Sequence, residues 1–485
     1  MSFAYSILFT MFGVAAVGLF YADIYFPVWL SVAILFYVSL YLLQQYRQKR
    51  IGILILLIWL VYVLPFIHIP PYIWFDFNQD PLLLWGLSVR PYMVDERVMK
   101  LTAMMGAVGG LGIAFGTSLN KKRLQQDLGT NPDGSKRLFR TMALPIWLIW
   151  VGVGVVLTWL AAPQETIFTA EYTQSASALD GVKFDSAWMM PYVILSFAFC
   201  DTLLERQLVI KSLKMKIILA VVVLVLVYFQ LLRGDRAAVP WVFGLSLVYY
   251  YWAAGITQRR DFTIPWLKIS GGAFGLVVLS LVLGAMRHSF VDASLSDVLD
   301  VAIALNESGA IGFANILHGT WSAALLTPMS VAGDHIYNLL PLNLGQDYLN
   351  FVLSIPPGFL ADVLGYIRPL DLNEPAKEMR YGLGGTHATV VPFMNFRMVG
   401  VFIVPAIWSF IMIKFEKLAL KKLTVINLSL LTTIAMAAPQ WLWYGEKYGF
   451  NAIVLWLILS FFYRVSLGMF RPSGQSVGLT KSWQH

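Results

Sequence analysis

Residues 217–236 read IILAVVVLVLVYFQLLRGDR. The first sixteen carry no charge, and a second apolar run, 237–254, follows the hinge Arg233-Gly234-Asp235-Arg236. Each run approaches the roughly 20 residues that cross a bilayer. Four residues between two such runs leave no space for a soluble domain. The chain therefore turns round at a membrane surface, with two arginines and an aspartate at the corner.

The rest of the chain follows the same pattern. Hydrophobic residues make up 58% of the 485 positions and charged residues 13%, with a mean hydropathy of +0.68. That composition excludes an ordinary soluble globule and predicts an all-α polytopic membrane protein. Apolar runs recur at 4–21, 25–43, 51–67, 101–119, 142–161, 187–205, 217–232, 237–254, 265–286, 398–413, 423–440 and 448–466, about twelve spans. The first lacks a basic flank and a small-residue cleavage site, so it is expected to be retained. Cys200 is the one cysteine, which leaves no disulfide framework.

Basic clusters fix the expected sidedness. They fall at Arg47–Arg50, Lys121–Arg123 with Lys136-Arg137, Arg206–Lys216, Arg259-Arg260, Lys414–Lys422, and Arg464 with Arg471 and Lys481. Two spans before the first cluster, and two between successive clusters up to Arg259, place all of them on the cytoplasmic side. Both termini are then cytoplasmic, and 23 of the 35 basic residues lie inside. The net charge of +8 is read as sidedness, not as a nucleic-acid footprint.

This gives nine spans over 1–286, a large outer loop over 287–396, three spans over 397–466 and a cytoplasmic tail over 467–485. The outer loop is acidic and is expected to be partly helical. Leu295–Leu305 has helical periodicity, Ile311–Leu326 is apolar enough to lie in the interface or re-enter it, and Pro356-Pro357-Gly358 is a breaker.

Arginine is disfavoured outside, so Arg233, Arg236, Arg287, Arg380 and Arg397, all at or near outward span ends, invite a functional reading. Guanidinium forks match phosphate oxygens, which suggests a phosphorylated, membrane-held ligand. The competing reading is that they anchor helices at headgroups or pair with acids such as Asp235. A second constellation is Gly382-Leu-Gly-Gly-Thr-His387-Ala-Thr, followed by Asn395-Phe-Arg-Met-Val-Gly400. Glycines allow close backbone approach, and an imidazole there suits proton abstraction near neutral pH. Asp334 and His335, in Gly-Asp-His-Ile-Tyr-Asn, form a further acid/base pair in the same loop.

The spans, the large outer loop, the outward arginine turn and the Gly-x-His element before Asn-Phe-x-x-x-Gly together resemble the O-antigen and capsule repeat-unit polymerases, the Wzy family. These are relatives of the O-antigen ligases. Arg233 is followed eleven positions later by Gly244, a spacing similar to that family's; Arg287 and Arg380 lead instead to Val298 and Val391. The resemblance implies a GT-C-like helical fold and glycosyl transfer between undecaprenyl diphosphate-linked glycans at the outer face of a bacterial inner membrane. A flippase and a chain-length regulator would be its partners. It also implies that His387 takes the acceptor proton while Arg233 and Arg236, with Arg287 and Arg380, hold the departing diphosphate. No carboxylate cluster demands a metal, and no cofactor is expected. The alternatives are the ligase reaction, onto lipid A-core, and a lipid-linked sugar transporter.

Overall fold

The computed structural model describes residues 2–67, 95–120, 141–161, 189–205, 213–225, 244, 325, 327–356, 358–367, 387–421 and 424–469. Among these residues the regular structure is helical throughout. The elements are α1 (Ser2–Tyr21), α2 (Val28–Arg47), α3 (Ile53–Ile67), α4 (Glu96–Ser118), α5 (Leu144–Ala161) and α6 (Met189–Glu205). They continue with α7 (Leu213–Leu224), α8 (Gln346–Ser354), α9 (Gly358–Leu364), α10 (Val390–Lys421), α11 (Val425–Tyr444) and α12 (Lys447–Met469). Six of these are long and apolar enough to cross a membrane, and α3, α5 and α6 are shorter apolar helices. The protein is a helical, membrane-embedded one.

Of the six long helices α4 is the most enclosed, its apolar span 89% buried. It is packed by α10, α2, α1 and α3, while α5, α6, α11 and α12 form a second group joined to the first through α3 and α11. The contact between α4 and α10 is close because α4 presents glycine. A Cβ at Gly112 would meet the backbone carbonyl of Phe402, and one at Gly116 would meet the carbonyl of Ala406 and the hydroxyl of Ser409. In lipid, where apolar burial drives little, such backbone proximity is a main source of helix association.

Where both are described, the apolar runs and the helices coincide within a few residues except at the fourth helix and at both limits of the tenth, which runs on to Lys421 instead of 413. The fourth helix starts at Glu96 instead of 101, because Asp95 caps it by accepting the Arg97 N–H and the charged first turn is helical too. The tenth starts at Val390 instead of 398, and is broken at Arg397. The breaker at Pro356-Pro357-Gly358 does separate α8 from α9. Of the expected span 237–254 only Gly244 is described, and of the segment 311–326 only Leu325; the span 265–286 and the segment 295–305 lie outside the described residues.

Polar staples close both ends of the first helix group. At one end the Glu416 carboxylate accepts the backbone N–H of Gly52 at 2.9 Å and of Leu54 at 3.2 Å, capping α3 from another helix. Beside it Asn120 donates to the Arg50 carbonyl at 2.7 Å and accepts from Lys417 at 2.5 Å. Glu416→Ala should strip α3 of both acceptors. The expected cost is about 1–3 kcal/mol, read as a lower melting temperature in detergent; an unchanged melting curve would remove the staple from the account. In the second group Asp201 is fully buried. It accepts from Met142 N at 3.0 Å and from the Tyr463 hydroxyl at 2.7 Å, with Lys214 Nζ 3.7 Å away.

Candidate functional site

The other end of the bundle gathers the polar residues that the motifs singled out. Its frame is Asn395, fully buried in α10. The residue before α8 is Gly345, at φ 89°, which has no side chain to cap that helix. Asn395 does so from a distance of 50 residues in sequence: its Oδ1 accepts Gly345 N–H at 2.9 Å and Asp347 N–H at 3.3 Å. Its Nδ2 donates to Asp347 Oδ2 at 2.8 Å, and the same oxygen accepts from Asn343 Nδ2 at 2.7 Å. Loop and helix are thereby locked as one unit, with every polar atom of Asn395 used.

Two residues further on, Arg397 breaks α10 at φ 55°, ψ −146°. Glycine alone adopts that region without strain; another residue there costs about 1–3 kcal/mol. The guanidinium donates from Nη2 to the Leu340 carbonyl at 2.7 Å and lies 5.6 Å above the Phe393 ring. Its Nη1 is enclosed and makes no hydrogen bond.

His335 belongs to the same cluster. The helical turns over 327–336 end at Asn338, φ 58°, with Leu339 N–H bonded to Asp334 O and Asn338 N–H to His335 O. This two-bond closure with a left-handed residue is how helices commonly stop. It leaves Asp334 buried at 4% exposure and His335 half-buried. The imidazole stacks on Phe20 at 5.1 Å and meets Phe393 edge-on at 5.3 Å. Burial first, then the charge of Arg397, hold it below the usual histidine range, against a smaller opposing pull from Asp23. Tyr337 anchors the segment to α4 by donating to Asp95 at 3.1 Å, and Arg97 pairs with that same carboxylate at 2.7 Å.

His387 sits apart from solvent. It is fully buried between Tyr62 and Phe66 of α3, ring centroids 5.0 and 4.8 Å away. Nε2 lies 3.1 Å from the Tyr62 carbonyl, which can only accept, so the proton belongs there. That makes Nδ1 the acceptor, and it receives the Thr389 N–H at 3.3 Å with the Thr389 hydroxyl at 3.1 Å. Burial pushes the imidazole down to about 4. In this conformation it is a neutral strut that pins the start of α10 to α3, and Ala388 N–H extends the joint to Leu442 O at 2.7 Å.

Of the arginines expected to hold diphosphate, Arg233, Arg236, Arg287 and Arg380 lie outside the described residues, as does Asp235. From the Arg-to-Gly spacing only Gly244 is described. A Cβ there would collide with Met436 and approach the Thr432 carbonyl to 3.2 Å, so that glycine serves close packing on α11. Among the described residues no three His, Cys, Asp or Glu side chains converge as a metal would require. Sequence reading named Arg397 only as one outward arginine of several; its backbone strain has no sequence signature. The chain matches no protein-family model, no curated protein and no solved structure.

Proposed function

We propose that the protein polymerises undecaprenyl diphosphate-linked oligosaccharide repeat units by inverting glycosyl transfer at the outer face of a bacterial inner membrane. In this reading the chain has about twelve spans, both termini are cytoplasmic, and the end of the bundle carrying His335, Arg397 and Asn395 faces outward. The observation that carries it is Arg397. An arginine held in a glycine-only conformation, with a guanidinium nitrogen unbonded, is retained for its side chain at a cost to the backbone.

The acceptor hydroxyl attacks the anomeric carbon of the donor glycan. The bond from that carbon to the diphosphate oxygen breaks, and undecaprenyl diphosphate leaves. Negative charge grows on the leaving phosphate, where a fixed guanidinium stabilises it without a metal. Arg233 and Arg236, with Arg287 and Arg380, are further diphosphate ligands in this proposal. The proton of the acceptor goes to an imidazole. We assign that role to His335, which is partly open and beside Arg397; His387 has both nitrogens engaged and no exposure.

The test is purified protein supplied with lipid diphosphate-linked repeat units and a chelator, with ladders read on gels. Polymer is the expected product. Arg397→Gly separates site from scaffold, since glycine relieves the strained backbone while removing the charge. It should melt at the same or a higher temperature and polymerise about 100–1000-fold more slowly. Ladders of normal length and rate from that variant would end the assignment.

A further inference from the structure

The short helices α8 and α9 are built inside out. In α8 the buried positions are Asp347, Phe351 and Ser354, while Leu349, Val352 and Leu353 are exposed. The exposed three are spaced i, i+3 and i+4, so they form one stripe. A helix on a protein in water turns its apolar stripe inward and its polar residues outward. Here two of the three buried side chains are polar and the outward stripe is apolar. Val363 and Leu364 of α9 and Ile367 beyond it extend that surface, the first 79% and the last 96% exposed. Charge is scarce as well: from 341 to 367 the sequence holds only Asp347, which is buried, and Asp362. Contiguous apolar surface of this kind marks a partner or a membrane.

The hydrogen bonding favours the membrane. Asn395 satisfies the first turn of α8. At the other end Ile355 N–H bonds to Val352 O at 3.3 Å, and the Ser354 hydroxyl donates to Phe351 O at 2.9 Å. The Tyr366 hydroxyl reaches back from beyond α9 to the Leu353 carbonyl at 2.8 Å. The chain leaves α9 through Gly365, φ 70°, with its N–H on Asp362 O and Tyr366 N–H on Ala361 O. A loop in water can leave such groups to the solvent; hydrocarbon offers them no partner. The neighbours point the same way. α8 packs against α10 and α12, both long enough to span a bilayer, and Tyr348 stacks on Phe396 at 6.0 Å. Phe396 is exposed, as are Ile403, Ile407 and Ile411 further along α10. A protein partner would meet a polar rim around the apolar residues, and Asp362 is the one exposed charge here.

We propose that α8 and α9 lie in the bilayer surface at this end of the bundle, with the apolar stripe among the acyl chains and Asp362 at the headgroups. The assignment rests on the membrane-embedded helical fold and not on the polymerase reading. Its consequence is positional. Asn395 holds α8, and Arg397 follows two residues later, so the depth of α8 sets the height of that guanidinium at the membrane surface.

The test uses the full-length protein in dioleoyl phosphatidylcholine vesicles, with a nitroxide label on Leu349→Cys, Leu353→Cys or Val363→Cys. Cys200 is fully buried, so the unsubstituted chain supplies the blank. Oxygen concentrates in hydrocarbon and a nickel chelate stays in water, and each relaxes the label on collision. Oxygen should outweigh nickel severalfold at all three positions, as at Ile403→Cys on α10, and Asp362→Cys should show the reverse. Nickel access at 349, 353 and 363 equal to that at 362 would put the helices in water and overturn the proposal. So would protection from both reagents, the mark of a protein occupant such as a second copy or another segment of the chain.

Discussion

Gly112→Val is expected to unfold the bundle at temperatures where the parent protein survives. The added Cβ points into the carbonyl of Phe402, with that residue's carbonyl carbon 3.1 Å and its Cα 3.4 Å away. A flexible side chain could turn aside; a helix backbone cannot. Overpacking a core costs typically ~1–3 kcal/mol where side chains adjust, so about 3 kcal/mol or more is expected here. The effect should spread, because α10 carries Asn395 and Arg397 at one end and Glu416 at the other. Gly18→Ala is the matched control: nothing lies within 4 Å of the new methyl, and alanine gains up to ~1 kcal/mol of helix propensity. Melting temperatures in detergent should therefore fall at 112 and hold or rise at 18. Equal behaviour at both positions would mean that the α4–α10 contact is looser than its geometry.

The contrast also shows what the sequence made legible. Hydrocarbon thickness fixes the length of an apolar run, so α1, α3, α5, α6, α11 and α12 stand near their expected limits. Apolarity is a poor guide where a helix starts with charge, as at Glu96, Arg97 and Lys100. The same bias made Asn395–Gly400 look like an approach to a helix, whereas it contains a helix interior, a cap for another helix and a break. Asn395 is an acceptor aimed at residues 50 and 48 positions away. No local pattern encodes such a partner. His387 illustrates the same limit: its glycine-rich flank suggests open backbone, but α3, some 325 residues earlier, closes over it. Gly112-x-x-x-Gly116 carries a local pattern suited to close helix packing in lipid, which apolarity alone does not single out.

His335→Ala should abolish ladder formation while lipid-linked donor is still bound, a loss of about 100- to 10,000-fold in rate. His387→Ala should act differently. It removes the bonds to Tyr62 and Thr389, loosens the start of α10, and lowers the melting temperature together with activity. The pH profile separates the roles. A base must be neutral to accept a proton, and His335 is held below the ordinary histidine range by burial and by Arg397. Activity should therefore be full at neutral pH and fall only as pH drops through that depressed value. The charged groups facing the ring are Arg397 from α10 and Asp23 from the turn after α1. Removing the first in Arg397→Gly should let the imidazole pKa rise, so the acid limb of the residual activity moves to higher pH; removing Asp23 should move it lower. An acid limb that stays in place in both variants, or full activity in His335→Ala, would return the proton to a different group.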